Sequence, residues 1–493
     1  MFNFEHPLKM LKHQTLKEVA LLAKEDKLNQ SEIQRLPYKI IPGPKANYRC
    51  CVYHERAIIK ERAKLASGYV PSGDECETLE ELKSDQMIYV IPSACDRCPI
   101  DRYRVTDVCR GCIKHKCMEV CPVNAITRVN GQAHIDQDLC KECGMCSKAC
   151  PYNAISEVMR PCKKACPTGA LDVADDRRAM IKEEKCINCG ACMDICPFGA
   201  ISDRSYITNV VRALEDNKEV FAVVAPAITG QFGPKVTVGQ IKSAFLQLGF
   251  KGMVEAACGA DAVTVHEANE FVERMEEGQT YMTNSCCPGF VNFIEKMFPD
   301  QKDKISSTVS PMVATGRLIK KLIPDAVVVF VGPCTAKKNE ITRPSIKDAI
   351  DYVMTFEEMT ALFDAYGIDP EKCEESEAND ASLYGRGFAQ SGGLTAAVEN
   401  YIHDKNINIE FKPIKVSGGA ELKKTMTLAK TGKLGCNFIE GMMCTGGCIG
   451  GPATMVSMLK SKPQLVKFSN SSESKSVLSN EKLQEFEGVN LER

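Results

Sequence analysis

Residues 140–151 read CKECGMCSKACP, so Cys140, Cys143, Cys146 and Cys150 stand at spacings of two, two and three residues, and a proline follows the last. Bacterial two-cluster ferredoxins hold [4Fe-4S] clusters with this run: three thiolates come from one tight loop, and the fourth binds the partner cluster. The run therefore predicts an iron–sulfur module, and it favours iron over the alternative of structural zinc.

A second run, residues 109–122 (CRGCIKHKCMEVCP), has two extra residues before its third cysteine. Two such halves about 30 residues apart make one two-cluster ferredoxin, so we pair them crosswise. One predicted cluster is held by Cys109, Cys112, Cys117 and Cys150, and another is held by Cys140, Cys143, Cys146 and Cys121.

A third run, residues 186–197 (CINCGACMDICP), is complete, but its partner half offers only Cys162 and Cys166. Two further cysteines, Cys95 and Cys98, stand upstream. The simplest interpretation is that residues 109–150, which make one whole ferredoxin unit, are inserted into the first half of a second ferredoxin unit. A third predicted cluster is then held by Cys186, Cys189, Cys192 and Cys166, and a fourth by Cys95, Cys98, Cys162 and Cys196. A separate metal site or free thiols remain the alternative for Cys95 and Cys98.

The composition agrees with thiolate-bound iron, because 27 cysteines accompany only 7 histidines in 493 residues. A net charge of −2 gives no reason to expect nucleic acid or an anionic membrane as a partner. The start of the chain lacks the pattern of a signal peptide, and no apolar run is long enough to span a bilayer. We therefore expect a reducing cytoplasm.

Three regions are predicted along the chain. Residues 1–90 are expected to be mostly helical, with an amphipathic helix over His54–Leu65. Residues 91–205 form the nested ferredoxin-like region. Residues 206–493 alternate strand-like runs, such as Phe221–Ala225 and Ala326–Val331, with helical stretches, which predicts α/β architecture. The polar stretch Ser469–Ser476 is expected to be a loop or linker before a short tail.

Three cysteine motifs without ferredoxin spacing follow residue 280. They are residues 283–290 (TNSCCPGF), 332–338 (GPCTAKK) and 440–451 (EGMMCTGGCIGG). They resemble, in order and separation, the signature motifs of [FeFe]-hydrogenases. The resemblance covers about residues 205–460. It implies an α/β H-cluster domain preceded by α+β ferredoxin-like modules.

The resemblance also implies an H-cluster, which is a [4Fe-4S] cubane joined through a cysteine sulfur to a two-iron subsite with CO, cyanide and a bridging dithiolate amine. Cys287, Cys334, Cys444 and Cys448 match the cubane ligands, with Cys448 as the bridge. Cys286 matches a proton carrier, Lys337 a hydrogen-bond donor to cyanide, and Met442 a packing residue. Pro226 and Ala227 match cofactor contacts.

The family further implies a proton path through Arg274 and Glu270, then Ser306, Glu267 and Cys286. Glu267 and Glu270 are separated by three residues, so a helix would place them on one face. The sequence departs from well-known members at four positions, namely Phe290, Gly332, Ala227 and Met312, where tryptophan, methionine, serine and a polar residue are usual.

The resemblance predicts reversible conversion of 2 H⁺ and 2 e⁻ to H₂, with a ferredoxin or similar electron carrier and hydrogenase maturation enzymes as partners. The alternative is a non-catalytic hydrogenase-like protein of iron–sulfur assembly or sensing. Six cysteines fit no cluster spacing and are expected to be free thiols: Cys50, Cys51, Cys76, Cys258, Cys373 and Cys436.

Overall fold

The computed structural model describes residues 2, 4–72, 79–83 and 85–493, so Cys76 lies outside the described residues. The N-terminal region contains helices α1 (Pro7–Lys24), α2 (Gln30–Ile40) and α3 (Val52–Ala66). None of the helices in the described ranges is both long and apolar enough to cross a membrane.

Two ferredoxin-like units follow, and one lies inside the other. The outer unit consists of β1 (Ile88–Val90), α6 (Pro161–Ala165), β6 (Leu171–Val173), β7 (Ala179–Ile181), α7 (Ala191–Asp194) and β8 (Ile201–Asp203). The inner unit consists of β2 (Tyr103–Val105), α4 (Lys116–Glu119), β3 (Ile126–Val129), β4 (Gln132–Ile135), α5 (Met145–Ala149) and β5 (Ile155–Glu157). In each unit the first strand pairs antiparallel with the last, and the two middle strands form a hairpin. The pairing of β1 with β8 around the whole inner unit is the topology that an inserted ferredoxin requires.

The remaining chain forms two parallel sheets with helices around them. The elements are α8 (Ile207–Glu215), β9 (Val220–Val224), α9 (Val238–Leu248), β10 (Gly252–Glu255), α10 (Ala256–Glu276), β11 (Met282–Thr283), α11 (Pro288–Met297), α12 (Pro311–Leu322), β12 (Val327–Val331), α13 (Thr335–Glu340), β13 (Tyr352–Met354), α14 (Phe356–Ala365), α15 (Leu383–Gly387), α16 (Gly393–Asp404), β14 (Pro413–Ser417), α17 (Gly419–Lys430), β15 (Phe438–Met442) and α18 (Met458–Asn470). The strand orders are β10-β9-β12-β13 and β11-β15-β14.

The four-stranded sheet is buried on both faces. Val220, Ala222 and Val224 of β9 face a core built with α8, α9 and α14, whereas Val223 faces a second core built with α10, α12 and α16. A parallel sheet covered on both sides needs such nearly continuous apolar strands. The predicted α/β fold class is therefore confirmed, and the two strands predicted over residues 221–225 and 326–331 agree with β9 and β12 within one residue.

The predicted helix over His54–Leu65 lies within α3, and four of its charged residues are buried, namely Glu55, Glu61, Arg62 and Lys64. The Glu55 carboxylate accepts hydrogen bonds from the main-chain N–H groups of residues 47, 48 and 49. The Arg62 guanidinium donates to the Gly199 carbonyl of the outer ferredoxin unit. Charge spacing predicted the helix correctly, but it could not show that the charged face would be covered by another module.

The expected polar linker over Ser469–Ser476 is only partly a loop, because α18 continues to Asn470. Ser472 is buried, and its hydroxyl donates to the Ala381 carbonyl at 2.7 Å. Beyond it, Val477 and Phe486 are buried in the core beside α10 and α12. The last residues are therefore packed against the α/β domain rather than forming a free tail.

Lys338 joins the two parts of the molecule through a buried ion network. Its ammonium lies 2.7 Å from both Asp203 in β8 and Glu358 in α14. Burial alone would lower the pKa of Lys338, but the two carboxylates raise it to about 12. The charged lysine therefore connects the outer ferredoxin unit to the helix layer that covers the four-stranded sheet.

We expect Lys338→Met to lower the free energy of unfolding by about 3–5 kcal/mol, because it leaves two buried carboxylates without their cation. The matched control is Lys424→Met, which removes an exposed lysine paired with Glu421 and should cost less than about 1 kcal/mol. Chemical unfolding of both anaerobic proteins measures the difference. Similar small effects for both variants would contradict a role for Lys338 in joining the modules.

Candidate functional site

The three late cysteine motifs meet because each follows a parallel strand. Cys286 and Cys287 come after β11, Cys334 comes after β12, and Cys444 comes after β15. Pro226 similarly follows β9. The carboxyl ends of parallel strands share one edge of a sheet, where loops from separate parts of the chain form binding sites. The two sheets present these edges to the same interior space.

Four of these cysteines form one buried group. Burial, with added contributions from the charges of Cys334 and Cys287, raises the pKa of the Cys448 thiol to about 12. Burial and the charges of the same two neighbours, together with Cys448, raise the pKa of Cys444 well above its ordinary value. Four thiolates cannot be held together here without a cationic centre. Soft sulfur donors of this kind suit an iron–sulfur cluster.

A cavity of about 70 Å³ adjoins this group, several times the space that one water molecule needs. Its wall includes Cys286, Cys287, Cys448, Lys337 and Met442. Most of the remaining wall is apolar, as befits a site that excludes water. Pro226 also lines the cavity, but Ala227 does not; its side chain is buried in the core beside α9 instead.

Lys337 is buried at the cavity wall, and its ammonium donates to a Glu340 oxygen at 2.8 Å. Burial alone would lower the pKa of Lys337, but the Glu340 carboxylate raises it, so the side chain carries a positive charge. Glu340 is a partner that the sequence analysis missed. The i,i+3 spacing on α13 is the signal that could have found it.

Cys286 is held separately from the group of four. Asn284 donates from its amide nitrogen to the Cys286 sulfur at 3.1 Å, and its amide oxygen accepts from the Gly441 N–H at 2.7 Å. Burial first, and then the charge of Glu267, raise the pKa of Cys286 well above its ordinary value. The side chain is therefore a neutral thiol whose position is fixed by a neighbour to which the sequence analysis gave no role.

Glu267 and Glu270 lie on one face of α10, and both are buried. Within the described residues, neither Glu267 carboxyl oxygen has a hydrogen-bond partner. Burial first, and then the charge of Glu270, raise the pKa of Glu267 well above its ordinary value. Glu267 is thus a neutral acid that faces a thiol on one side and a carboxylate on the other.

Glu270 is held in the opposite charge state. The Ser306 hydroxyl donates to one of its oxygens at 2.5 Å, and Arg274 pairs with the other at 2.5 Å. Burial would raise the pKa of Glu270, but the hydrogen bonds from Ser306 and Ser307 and the charge of Arg274 lower it. The structure therefore brings together every residue of the predicted path, with a neutral inner acid and an ionised outer one.

Two departures from the well-known members have a local explanation. At Gly332 a Cβ atom would lie 2.7 Å from the Phe330 ring, so the phenylalanine two residues earlier occupies that space. Phe330 also lines the cavity. Phe290 is fully buried, and its ring occupies the space that a side chain at Gly441 would need. Neither change opens the cavity wall.

The ferredoxin cysteines also lie in groups. Burial, with the charges of Cys196 and Cys95, raises the pKa of Cys162 to about 11, and burial and the same two neighbours raise that of Cys98. Those four cysteines are the ones that the inserted-ferredoxin interpretation assigns to one cluster. In three other groups, the charges of neighbouring cysteines likewise raise the pKa of one thiol. These groups are Cys117 with Cys112 and Cys150; Cys146 with Cys140 and Cys143; and Cys192 with Cys189, Cys186 and Cys166. Cys121 packs in one apolar cluster with Cys117, Cys140 and Cys146, so this cluster borders both inner groups. Cys109 begins the loop that contains Cys112.

The group around Cys189 adjoins the group that contains Cys334. Burial raises the pKa of Cys189 to about 12, with smaller contributions from charges that include Cys334. The Thr335 hydroxyl donates to the Asn188 carbonyl at 2.7 Å. The ferredoxin region therefore continues directly into the buried site of the α/β domain.

The leftover cysteines lie outside these groups. Cys258 and Cys373 are buried, whereas the Cys50 sulfur lies 3.2 Å from His54 at the surface. Within the part of the chain that the structure describes, no three His, Cys, Asp or Glu side chains form a site for a single metal ion.

Comparison with known families agrees with this arrangement. Residues 218–452 match the C-terminal domain of the iron-only hydrogenase large subunit. Residues 133–156 match a 4Fe-4S binding domain, and residues 156–207 match the LdpA Fe-S cluster-binding domain. The chain therefore contains an iron-only hydrogenase large-subunit-like domain preceded by iron–sulfur-binding modules.

Among individual proteins, the chain is 31% identical to "Iron hydrogenase 1" of Clostridium pasteurianum over 64% of each chain, so it spans just under two thirds of that relative. It is also 27% identical to a "Probable cytosolic Fe-S cluster assembly factor" of Aedes aegypti, over 45% of this chain and 57% of that one. The solved structure of apo [FeFe]-hydrogenase HydA1 from Chlamydomonas reinhardtii aligns with a TM-score of 0.48 at 21% identity, covering 56% of this chain and 90% of that one.

We expect Cys95→Ala and Cys98→Ala each to lower the iron content by about four atoms, the content of one cubane. The electron paramagnetic resonance signal of the reduced protein should lose one component. Cys436→Ala is the matched control, since Cys436 lies outside the four groups, and it should keep all iron. Full iron and an unchanged spectrum for both Cys95 and Cys98 variants would show that these residues hold no cluster.

Proposed function

We propose that the protein is an [FeFe]-hydrogenase that interconverts two protons and two electrons with H₂ at an H-cluster. Four further [4Fe-4S] clusters carry the electrons to or from a ferredoxin or similar carrier. The observation that carries the proposal is the buried cavity, because a non-ligand thiol lies in its wall beside a buried acid. Maturation enzymes supply the two-iron subsite, and a reducing cytoplasm suits the many thiolates.

The donor set supports this assignment. Cys287, Cys334 and Cys444 would hold the cubane together with Cys448, which would also bind the two-iron subsite in the adjoining cavity. When bound, that subsite supplies the redox chemistry of hydrogen. The positive charge of Lys337 suits an anionic cyanide ligand at the cavity wall.

Cys286 is the proton carrier at the cavity end of the path. It lines the cavity, and four other cysteines already supply the thiolates that a cubane needs. A neutral thiol can give its proton toward the cavity and regain one from a neighbouring acid. Glu267 is that acid, since burial keeps it protonated.

The outer part of the path exchanges protons with solvent. Ser306 donates to Glu270 and faces Glu267, so its hydroxyl can pass a proton between the two carboxyl groups. Arg274 pairs with Glu270 and lowers its pKa, so its role is to orient this carboxylate rather than to carry the proton itself. One acid is neutral and the other is ionised, so a proton can pass along the path in either direction, as reversible chemistry requires.

A non-catalytic role in iron–sulfur assembly is the second candidate, and the resemblance to an assembly factor favours it. That role requires cluster-binding cysteines but no buried proton path. The combination of Glu267, Ser306 and Cys286 therefore supports the hydrogenase. Hydrogen turnover by the matured protein separates the two candidates.

We expect the anaerobically matured protein to evolve and consume H₂ with a viologen dye, and Cys286→Ser to lose about 10²-fold or more in both directions while keeping its iron. Serine matches the size of cysteine but has a far higher pKa than the thiol value of about 8.5. Cys287→Ser should instead lose iron from the H-cluster.

The control is Cys258→Ser, which alters another buried cysteine outside the cavity and should keep its activity. If Cys286→Ser loses iron and Cys287→Ser keeps it, the two roles are reversed. If Cys286→Ser is fully active, protons use another path. Absence of turnover in the fully loaded unmodified protein would favour the assembly role.

We expect Glu267→Gln to lower turnover by at least about 10²-fold with no loss of iron, because glutamine keeps the shape but cannot exchange a proton. Glu273→Gln, an exposed residue on the same helix, is the matched control and should be unchanged. Dye-linked hydrogen evolution measures both variants. Equal rates for the two would exclude Glu267 from the proton path.

A further inference from the structure

The two ends of the inner ferredoxin unit differ in their distance from the outer unit. In the β2–β5 pair, Tyr103 lies opposite Glu157. At this end of the pair the chain arrives from the outer unit and later returns to it. The loop of Cys140, Cys143 and Cys146 lies at this end, because a side chain on Gly144 would collide with the Tyr103 hydroxyl.

The other group lies at the opposite end. Val105 pairs with Ile155 there, the Thr106 N–H donates to the Ala154 carbonyl at 2.8 Å, and Cys109 follows after three residues. Of the two inner groups, the one at the end away from the outer unit is therefore that of Cys109, Cys112, Cys117 and Cys150.

The loop at this outer end is basic and exposed. Residues 110–116 read RGCIKHK, with two residues more than the usual ferredoxin spacing, and we name this segment the basic loop. Arg110, Lys114 and Lys116 are exposed, and none of them forms an ion pair with any residue that the structure describes. The basic loop contains no carboxylate.

An apolar side chain stands at the centre of the basic loop. Ile113 is 93% exposed, the highest exposure of any large apolar side chain in the described chain. Val108 lies next to Cys109 and Tyr152 lies two residues after Cys150, and these side chains are 55% and 52% exposed. Arg128 adds a further cation, since its Nη2 lies 3.5 Å from the position of a Cβ on Gly111.

We propose that the basic loop is the docking surface for an acidic one-electron carrier protein, and that the Cys109–Cys112–Cys117–Cys150 group is where electrons enter or leave. The inference rests on the proposed function only in treating the cysteine groups as redox clusters. In the transfer, a reduced carrier loses one electron and this cluster gains it. A small apolar centre with unpaired cations around it fits the small interfaces of transient electron-transfer complexes.

The test uses the full-length, cluster-loaded protein and a reduced acidic two-cluster ferredoxin as the probe. Stopped-flow absorbance follows reduction of the protein's clusters, so the measurement does not depend on hydrogen turnover. The variant is the double change Lys114→Glu and Lys116→Glu. Its matched control is Lys235→Glu with Lys462→Glu, two exposed lysines of the α/β domain.

We expect the basic-loop variant to slow reduction by ferredoxin at least about tenfold at low salt, since opposite charges steer association. The difference in rate between the variant and the unmodified protein should shrink near 0.5 M salt, because charges more than about 5 Å apart are then largely screened. Reduction by a viologen radical cation should not slow, which shows that the cluster itself is intact. Ile113→Ser should weaken ferredoxin binding in the same assay without changing the charge.

An equal ferredoxin rate for the basic-loop variant and its control would overturn the proposal. A loss of rate with both ferredoxin and viologen would indicate damage to the cluster, and the Ile113→Ser variant then decides: an unchanged ferredoxin rate in that variant would overturn the proposal. Binding of the unmodified protein to anionic vesicles, lost in the basic-loop variant while the ferredoxin rate is unchanged, would assign the surface to a membrane instead. Failure of hydrogen turnover with normal ferredoxin-driven reduction would refute the proposed function but not this docking surface.

Discussion

Desolvation of cysteine sulfur is the constraint on which the rest of this structure depends. Burial raises the pKa of Cys334 to about 11 and that of Cys448 to about 12, and neighbouring thiols oppose ionisation further. A bound iron–sulfur cluster resolves this conflict, because its iron centres bind thiolates and compensate their charge. The cysteines come from loops that are distant in sequence, so thiolate–iron bonds at these sulfur atoms would also fix those loops. The fold and its cofactors are therefore coupled energetically.

The nested ferredoxin arrangement extends this coupling along the molecule. Strand β1 pairs with β8 across more than one hundred residues, so the outer unit closes around the inner unit. The outer unit then contacts the α/β domain through the Thr335–Asn188 hydrogen bond and the buried Lys338 network. The cysteine groups of the outer unit therefore lead directly to the buried cavity.

Much of this organisation could be predicted from the sequence, because ferredoxin ligation and parallel strands have local patterns. The runs beginning at Cys109, Cys140 and Cys186 identified the modules, and β9 and β12 were found within one residue. Features made by tertiary convergence could not be found in this way. The packing of the last residues on the core joins segments with no shared pattern. The Asn284 contact with Cys286 and the filling of the Gly332 space by Phe330 are close in sequence, but they depend on side-chain directions that the sequence does not show. The burial of charges on α3, which was predicted only as an amphipathic helix, could not be found for the same reason, since sequence spacing does not show what covers a helix.

The central claim is that the cavity beside Cys286 and Cys448 holds a two-iron subsite, and not merely that the protein binds cubanes. An assembly factor and a hydrogenase can share the cysteine groups, but only the H-cluster contains CO and cyanide bound to iron. Infrared spectroscopy of the anaerobically matured protein tests this most directly, because protein and cubane vibrations do not overlap those ligand stretches. We expect sharp bands from iron-bound CO and cyanide, which disappear when maturation enzymes are omitted. A fully cubane-loaded protein without such bands would contradict it.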